Sequence, residues 1–325
     1  MNVHSRERGP EGRLGDRLTR LLGIRYPVIQ GGMAWVADAE LAAAVSSAGG
    51  LGVIASAHLT PDQLKAEICK ARSLTDHPFG VNIMLIGPNV SEAAQVCCKE
   101  RVAVVTTGAG HPGELMESLE AAGIIVLPVI ASTAQAKRAA SAGARAVIAE
   151  GYEAGGHIGE LTTMALVPQV VDAVSIPVVA AGGIADGRGA AAAFCLGASG
   201  VQLGTAFVVA RECTVHANYK RMVLEASDSD TQVTGRSVGH PVRALKNRFT
   251  RELARLEREG ADPDKVLSFG VGSLARAVRD GDVERGSVMA GQIAGLISEE
   301  KTASDIVCGI IREAEKVLAS WAPER

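Results

Sequence analysis

Aliphatic and β-branched residues recur along this chain in eight short runs: "YPVIQGG" from Tyr26, "LGVIAS" from Leu51, "FGVNIML" from Phe79, "VAVVTTG" from Val102, "IIVLPVI" from Ile124, "AVIAEG" from Ala146, "PVVAAGG" from Pro177 and "GVQLGT" from Gly200. Each run is uniformly apolar rather than alternating, the pattern of strands buried on both faces of a parallel sheet. Between them lie Ala-rich amphipathic segments such as "DAELAAAVSSAG", "TPDQLKAEICKARS" and "STAQAKRAASAG". Several open on Asp, Thr or Ser and close on Gly, the cap chemistry of helices. The junctions "SAGGLGVIA", "EAAGIIVLPVI", "SAGARAVIAEG" and "CLGASGVQLGT" resemble one another, a weak internal repeat. Eight strand–helix units in about 180 residues predict an α/β chain folded as a closed (β/α)8 TIM barrel rather than an open sheet.

The regularity stops after the eighth run. From about Arg211 to Gly286 the chain is highly charged and mostly helical in pattern, and "GSVMAGQIAGLI" then resumes a small, apolar character. The expected organisation is a flexible extension over residues 1–15, a barrel over 16–210, a helical lid or substrate-binding subdomain over 211–286, and a closing segment over 287–325.

Composition narrows the class. A chain of 325 residues, 47% hydrophobic, has ample material for a core. The longest apolar run, Ala121 to Ala131, falls short of the ~18 residues of a membrane span. The first twenty residues are charged and lack the apolar stretch of a secretion signal, so the expected location is the cytoplasm. The six cysteines show neither CxxC spacing nor a zinc-type Cys/His cluster, and no metal site is expected. A net charge of -3 with interspersed signs argues against a nucleic-acid binder.

Active sites of such barrels lie where the strands end, and here the strand ends are rich in small residues and amides: Gly31, Gly32 and Met33, Asn82, Thr106 and Thr107, Glu150 and Gly151, Gly182 and Gly183, Gly204 and Thr205. His157 lies six residues beyond Gly151 among Gly155, Gly156 and Gly159. A group that can donate and accept protons near neutral pH, in a loop stripped of side chains, suits a site that a planar ligand approaches closely. A tight strand-to-helix turn with an exposed histidine is the structural alternative. "AAGGIADGRG" and "QLGTAF" close strands seven and eight, where glycine N–H groups and a helix start form the phosphate site of this architecture. "GAGHPG", Gly108 to Gly113, has dinucleotide-fingerprint spacing, but the next strand ends in Ala131 and Ser132 without the required acid, so it reads as a barrel loop. The Glu150 carboxylate can accept ligand hydroxyls or pair with a nearby cation. The lid basic residues Arg236, Arg243, Lys246, Arg248, Arg251, Arg255 and Arg258 fit either a solvated face interleaved with glutamates or a dock for an acidic partner. Cys97 and Cys98 fall in a helical stretch away from the strand ends, which excludes them from catalysis.

Together "YPVIQGGMAWVADAELAAAVSSAGGLGVI", "FGVNIML", "VVTTGAG", "IAEGYEAGGHIGELTTM", "VVAAGGIADGRG", "VQLGTAFV" and "GSVMAGQIAGLI" closely resemble the flavin-dependent enoyl-acyl-carrier-protein reductase II family, in order and over nearly the whole chain from about residue 16. The related nitronate monooxygenases share the barrel and the "EAGGH" histidine. "GGMAWVAD", "HIGELTTM", "SVMAGQIAG" and the lid sequence "GHPVRALKN" look like the reductase. The resemblance implies FMN across the strand ends. Its phosphate would lie on Gly182, Gly183, Gly204 and Thr205, its ribityl chain near Glu150, and its ring against Gly32, Met33, Asn82, Met289, Gly291 and Gln292. Gly31, Thr107, Gly155, Gly156 and Gln202 complete the implied cofactor contacts. His157 would face the flavin as the catalytic residue. The resemblance further implies NADH or NADPH as electron donor and an enoyl chain on acyl carrier protein as substrate and partner, while composition leads to no expected membrane or nucleic-acid partner. Whether a monovalent cation assists, as in some relatives, is left open, and a homodimer is the default expectation.

Overall fold

The eight apolar runs become eight parallel strands, in a computed structural model that describes residues 14–321. Strands β1 (Val28–Gln30), β2 (Gly52–Ala55), β3 (Phe79–Met84), β4 (Val104–Gly108), β5 (Ile125–Ile130) and β6 (Val147–Glu150) follow in order. A two-residue strand, β7 (Gly156–His157), precedes the last two barrel strands, β8 (Val178–Ala181) and β9 (Gly200–Leu203). The barrel order is β1-β9-β8-β6-β5-β4-β3-β2, every pairing parallel. The seam between β2 and β1 is closed by the Ile29–Leu51 bridge. Buried Gln30 reinforces it: its amide accepts from Val53 N at 3.0 Å and donates to Val53 O at 3.2 Å. The chain is therefore a (β/α)8 barrel. The expected extension over residues 1–15 lies, up to residue 13, outside the described residues.

Alternation along each strand sorts two layers of core. Ile29, Val53, Val104, Leu127, Ile148 and Val179 meet inside the barrel, where Leu18 and Leu22 of the helix Asp16–Leu22 join them. Their neighbours Val28, Val105, Val147 and Val178 pack outward under the helices. The helix after β9 is displaced to the C-terminus: Ala303–Ser320 packs against Gly187–Cys195, and its Glu313 caps that helix by accepting from Gly187 N at 2.8 Å.

The segment expected as a helical lid is mixed. It holds the helices Ala217–Leu224, Arg248–Arg258, Pro263–Gly270 and Ser273–Arg279, but also β10 (Thr231–Thr234) and β11 (Val242–Leu245). These two pair antiparallel, and β11 pairs in turn with β7, Val242 opposite His157 and Arg243 opposite Gly156. The insertion is thus hydrogen-bonded directly to the histidine loop. Among the described residues no helix is long and apolar enough to cross a membrane.

Candidate active site

A cavity of about 600 Å³ opens over the C-terminal ends of the barrel strands, within the range of sites for small molecules and cofactors. His157 lines it, as do Gly31, Gly32, Met33, Asn82, Glu150, Gly155, Gly156, Gly182, Gly183, Gln202, Gly204, Thr205, Met289 and Gly291. Thus residues scattered from β1 to the closing segment meet at one site. The remaining wall comes from residues that sequence reasoning did not single out, chiefly Ile130, Glu153, Tyr219, His240 and Leu274.

Two of the expected cofactor contacts, Thr107 and Gln292, do not line the cavity. Thr107 does not reach the cavity: β4 alternates, Val104 and Thr106 face inward, and Thr107 points out beneath the helices, where its Oγ1 has no hydrogen-bond partner. Its neighbour Thr106 does the inward work, accepting from Asn82 Nδ2 at 3.0 Å. Gln292 opens the 3-10 turn Gln292–Leu296; Gly291 and Ile293 on either side of it line the cavity, while the Gln292 side chain is exposed and does not. Only its backbone takes part, donating to Glu153 O at 2.9 Å.

The loop from β6 to the helix Thr163–Ala173 is tied at several points. Glu153 accepts from Thr163 N and Thr163 Oγ1, both at 2.9 Å, and so caps a helix whose own N-cap residue makes no side-chain bond. The glycines around His157 serve protein packing as well as any ligand. A Cβ on Gly155 would meet Ala290 C at 2.6 Å and Gly291 N at 2.7 Å, and one on Gly159 would meet Ala131 Cβ at 2.5 Å. From the insertion, the buried Arg243 donates to Tyr152 O at 3.1 Å and to Thr231 Oγ1 at 3.0 Å, with its guanidinium over the Tyr152 ring. Two of the lid arginines are therefore struts, since Arg236 bonds Glu160 and Tyr152 Oη.

The β1 loop is fixed from the opposite side. Trp35, in the left-handed region at φ 68°, stacks on His58 with centroids 4.3 Å apart, and Arg279 of the insertion lies over the indole at 4.2 Å. Burial, then the charge of Arg279, brings His58 down to about 4, so its neutral Nδ1 accepts from Trp35 N at 3.2 Å. This places Gly32 and Met33 at the cavity wall.

Electrostatics single out two side chains. Burial pushes the Glu150 carboxyl up to about 7, and among the described residues it has no hydrogen-bond partner. His157 is exposed by area, but into the cavity. Burial first, and the adjacent His240 second, lower its proton affinity below the ordinary histidine value. The thiol of Cys97 is buried and pushed up to about 12, which removes it from nucleophilic chemistry.

The residues present fit FMN. Gly182 and Gly183, at φ 86° and 74°, turn the chain at the end of β8 where a side chain would be strained, leaving bare backbone at the cavity. Thr205 Oγ1 already accepts from Gly291 N at 2.9 Å and has its own proton left to donate. Glu150 and Gln202 line the same space, and among the described residues their side chains have no hydrogen-bond partner, which leaves the donors and acceptors that a polyhydroxy chain and a flavin edge require.

Comparison with known proteins agrees with this geometry. The model of the nitronate monooxygenase family matches residues 15–97 and 86–313. The structure of FabK from Thermotoga maritima is 50% identical, with a TM-score of 0.92 over 94% of this chain and 97% of that one. A nitroalkane oxidase from Streptomyces ansochromogenes is 31% identical, with a TM-score of 0.83 over 94% of this chain and 100% of that one. In Rhodococcus jostii, (3aS,4S,5R,7aS)-5-hydroxy-7a-methyl-1-oxo-octahydro-1H-indene-4-carboxyl-CoA dehydrogenase is 36% identical, covering 93% of this chain and 96% of its own.

Proposed function

The chain belongs to the nitronate monooxygenase family, and we propose that within it the protein is an FMN-dependent reductase of trans-2-enoyl thioesters that draws electrons from NADH or NADPH. The observation that carries this reading is the 50% identity, across 94% of the chain, with FabK from Thermotoga maritima, beside the resemblance of "GGMAWVAD", "HIGELTTM" and "SVMAGQIAG" to the reductase family. The name of the Rhodococcus relative supports the substrate class, since a CoA carboxyl is also a thioester.

In this reading Gly182, Gly183, Gly204 and Thr205 hold the flavin phosphate. Glu150 and Gln202 take the polar chain and ring edge, and Gly32, Met33, Asn82, Met289 and Gly291 border the ring. Bound FMN supplies the hydride chemistry, passing electrons from the nicotinamide to the substrate β-carbon. The protein supplies orientation and protons. Hydride addition places negative charge on the thioester oxygen, which an imidazole N–H of His157 stabilises, and a protonated His157 delivers a proton to the α-carbon. Its lowered proton affinity makes the charged ring a stronger acid. Ile130, Leu274, Met289 and Ile293 give the acyl chain an apolar wall. Acyl carrier protein is the proposed carrier, met by the basic face of the insertion.

Anaerobic oxidation of NADH and of NADPH, with and without a trans-2-enoyl thioester, tests this. Enoyl-dependent turnover is expected, and His157→Ala should keep its flavin while losing about 10²–10⁴-fold of that turnover. The likeness to the nitroalkane oxidase favours a second reading, a nitronate monooxygenase in which His157 acts as a base. No enoyl-dependent turnover, from a protein that oxidises a nitronate in air without a nicotinamide, would replace the first reading by the second.

A further inference from the structure

The "GHP" of the insertion places a second imidazole in the cavity. His240 lines the same wall as His157, with ring centroids 6.5 Å apart and planes at 89°. It is exposed, and its side chain makes no hydrogen bond with the described residues, so packing does not account for it. Yet its backbone is built with unusual care. Gly235 and Gly239, at φ 84° and 74°, bracket the turn Arg236–Val238. His240 N donates to Gly235 O at 2.9 Å, and a Cβ on Gly235 would lie 2.2 Å from the His240 carbonyl oxygen. The Glu257 carboxylate accepts from Gly235 N at 2.9 Å, Ser237 N at 3.0 Å and Ser237 Oγ at 2.8 Å, anchoring the turn to the helix Arg248–Arg258. The far side is fixed to the His157 strand itself, Val242 opposite His157 and Ile158 N donating to Pro241 O at 3.2 Å. The backbone of the two histidines is thereby held in a fixed register across the strand pair.

The 6.5 Å between the ring centroids has a chemical meaning. It is too long for a direct bond between ring nitrogens and matches one bridging water, two hydrogen bonds of about 2.8 Å in sequence. Other titratable groups near the pair are engaged or lie deeper. Glu153 is held by Thr163, Tyr219 Oη donates to Met289 O, Arg236 bonds Glu160 and Tyr152, Arg243 bonds Tyr152 O, and Glu150 sits at the end of β6. In the enoyl-reductase reading His157 gives up a proton in each turnover and must regain one, and His240 reaches the same cavity from the insertion.

We propose that His240 is the proton-handling partner of His157: its ring faces His157 across the cavity and passes a solvent proton through a bridging water to reload His157 after each turnover. The step balances. A proton leaves bulk water for His240, moves to His157 and ends on the α-carbon, while the hydride that reaches the β-carbon comes from the nicotinamide by way of the flavin. The inference rests on the enoyl-reductase reading for its last transfer, whereas the pairing of the rings stands on the geometry.

The test is the histidine NMR titration of the flavin-loaded protein, wild type against His240→Gln and His240→Phe, with the His157 signal assigned through His157→Gln. The expected result is a His157 midpoint at higher pH in both variants. In parallel, enoyl reduction above neutral pH should fall about tenfold in both and be restored by added imidazole. An unchanged His157 midpoint overturns the pairing of the two rings. A loss of turnover that imidazole does not restore, or no loss, overturns the relay. A wild-type protein with no enoyl-dependent turnover would remove the functional reading instead, and the titration would still decide the pairing.

Discussion

The hydroxyl of Thr205 accepts the backbone N–H of Gly291 at 2.9 Å, joining the first residue past the β9 turn to the segment that returns from the insertion. One side chain thus sets the distance between the proposed phosphate cradle and the proposed ring wall. Thr205→Val keeps the shape and removes both the acceptor and the proton left for a ligand. Flavin affinity should fall about tenfold, the effect of one net hydrogen bond of about 1.4 kcal/mol. Fluorescence quenching of FMN by the apoprotein reads this directly, and an unchanged affinity would take Thr205 out of the cradle.

Gly155 and Gly239 separate close approach from backbone strain. A Cβ at Gly155 would press on the backbone of Ala290 and Gly291 at 2.6–2.7 Å, where neither can swing aside. At Gly239 the φ is 74° and nothing lies within 4 Å of the added carbon, so the cost is strain alone. Gly239→Ala should lose roughly 1 kcal/mol of stability and keep its flavin. Gly155→Ala should lose roughly 1–3 kcal/mol and most of its bound flavin. Urea unfolding beside the flavin-to-protein absorbance ratio compares them, and equal behaviour of the two variants would refute the packing role of Gly155.

The contrast shows what the amino-acid sequence makes legible. Strands buried on both faces write themselves as unbroken apolar runs, and all eight barrel strands are found where those runs lie. The same uniformity hides which side each residue faces. "VAVVTTG" carries no alternation to say that Thr106 rather than Thr107 turns inward, and that is settled only by the pairing of β4 with β3 and β5. The hairpin β10–β11 is obscured for another reason. Its strands "TQVT" and "VRAL" are short, and β11 carries Arg243, a charge that is buried only because Tyr152, distant in sequence, covers it. Its third strand is two residues of the histidine loop, a long-range pairing that local pattern does not announce. His240 was therefore legible as part of a motif but not as a neighbour of His157.

Glu150 should leave a signature in stability against pH. Its folded carboxyl, raised by burial to about 7, lies above the ordinary 4.5, so the folded protein holds a proton that the unfolded chain releases. Stability from this group is therefore full below about 4.5, falls as pH rises through the window from 4.5 to 7, and stays reduced above it. The loss is on the order of 2 kcal/mol, after allowance for the water that the open cavity admits. Glu150→Gln in the flavin-free protein should be more stable than wild type at pH 8 and lose that advantage at pH 5. Thermal melts at the two pH values check this, and a stability difference independent of pH would mean that the carboxyl is not desolvated.

The lid arginines divide by their partners. Arg236 and Arg243 hold the histidine loop, and Arg255 lies between Glu252 and Glu259. Arg248 and Arg251, both exposed on the helix Arg248–Arg258, make no side-chain hydrogen bond or ion pair with the described residues. That helix buries Phe249, Leu253 and Leu256 beneath them, so their charge can change without disturbing its packing. If this face meets an acidic carrier protein, Arg248→Glu with Arg251→Glu should lower kcat/KM for the carrier-bound enoyl substrate about tenfold at low salt and flatten its dependence on ionic strength. The CoA thioester, which lacks the acidic protein surface, should be affected less. Equal losses on both substrates would place these charges on the shared path of the thioester or the nicotinamide rather than on a carrier dock, and no loss on either would leave them as a solvated helix face.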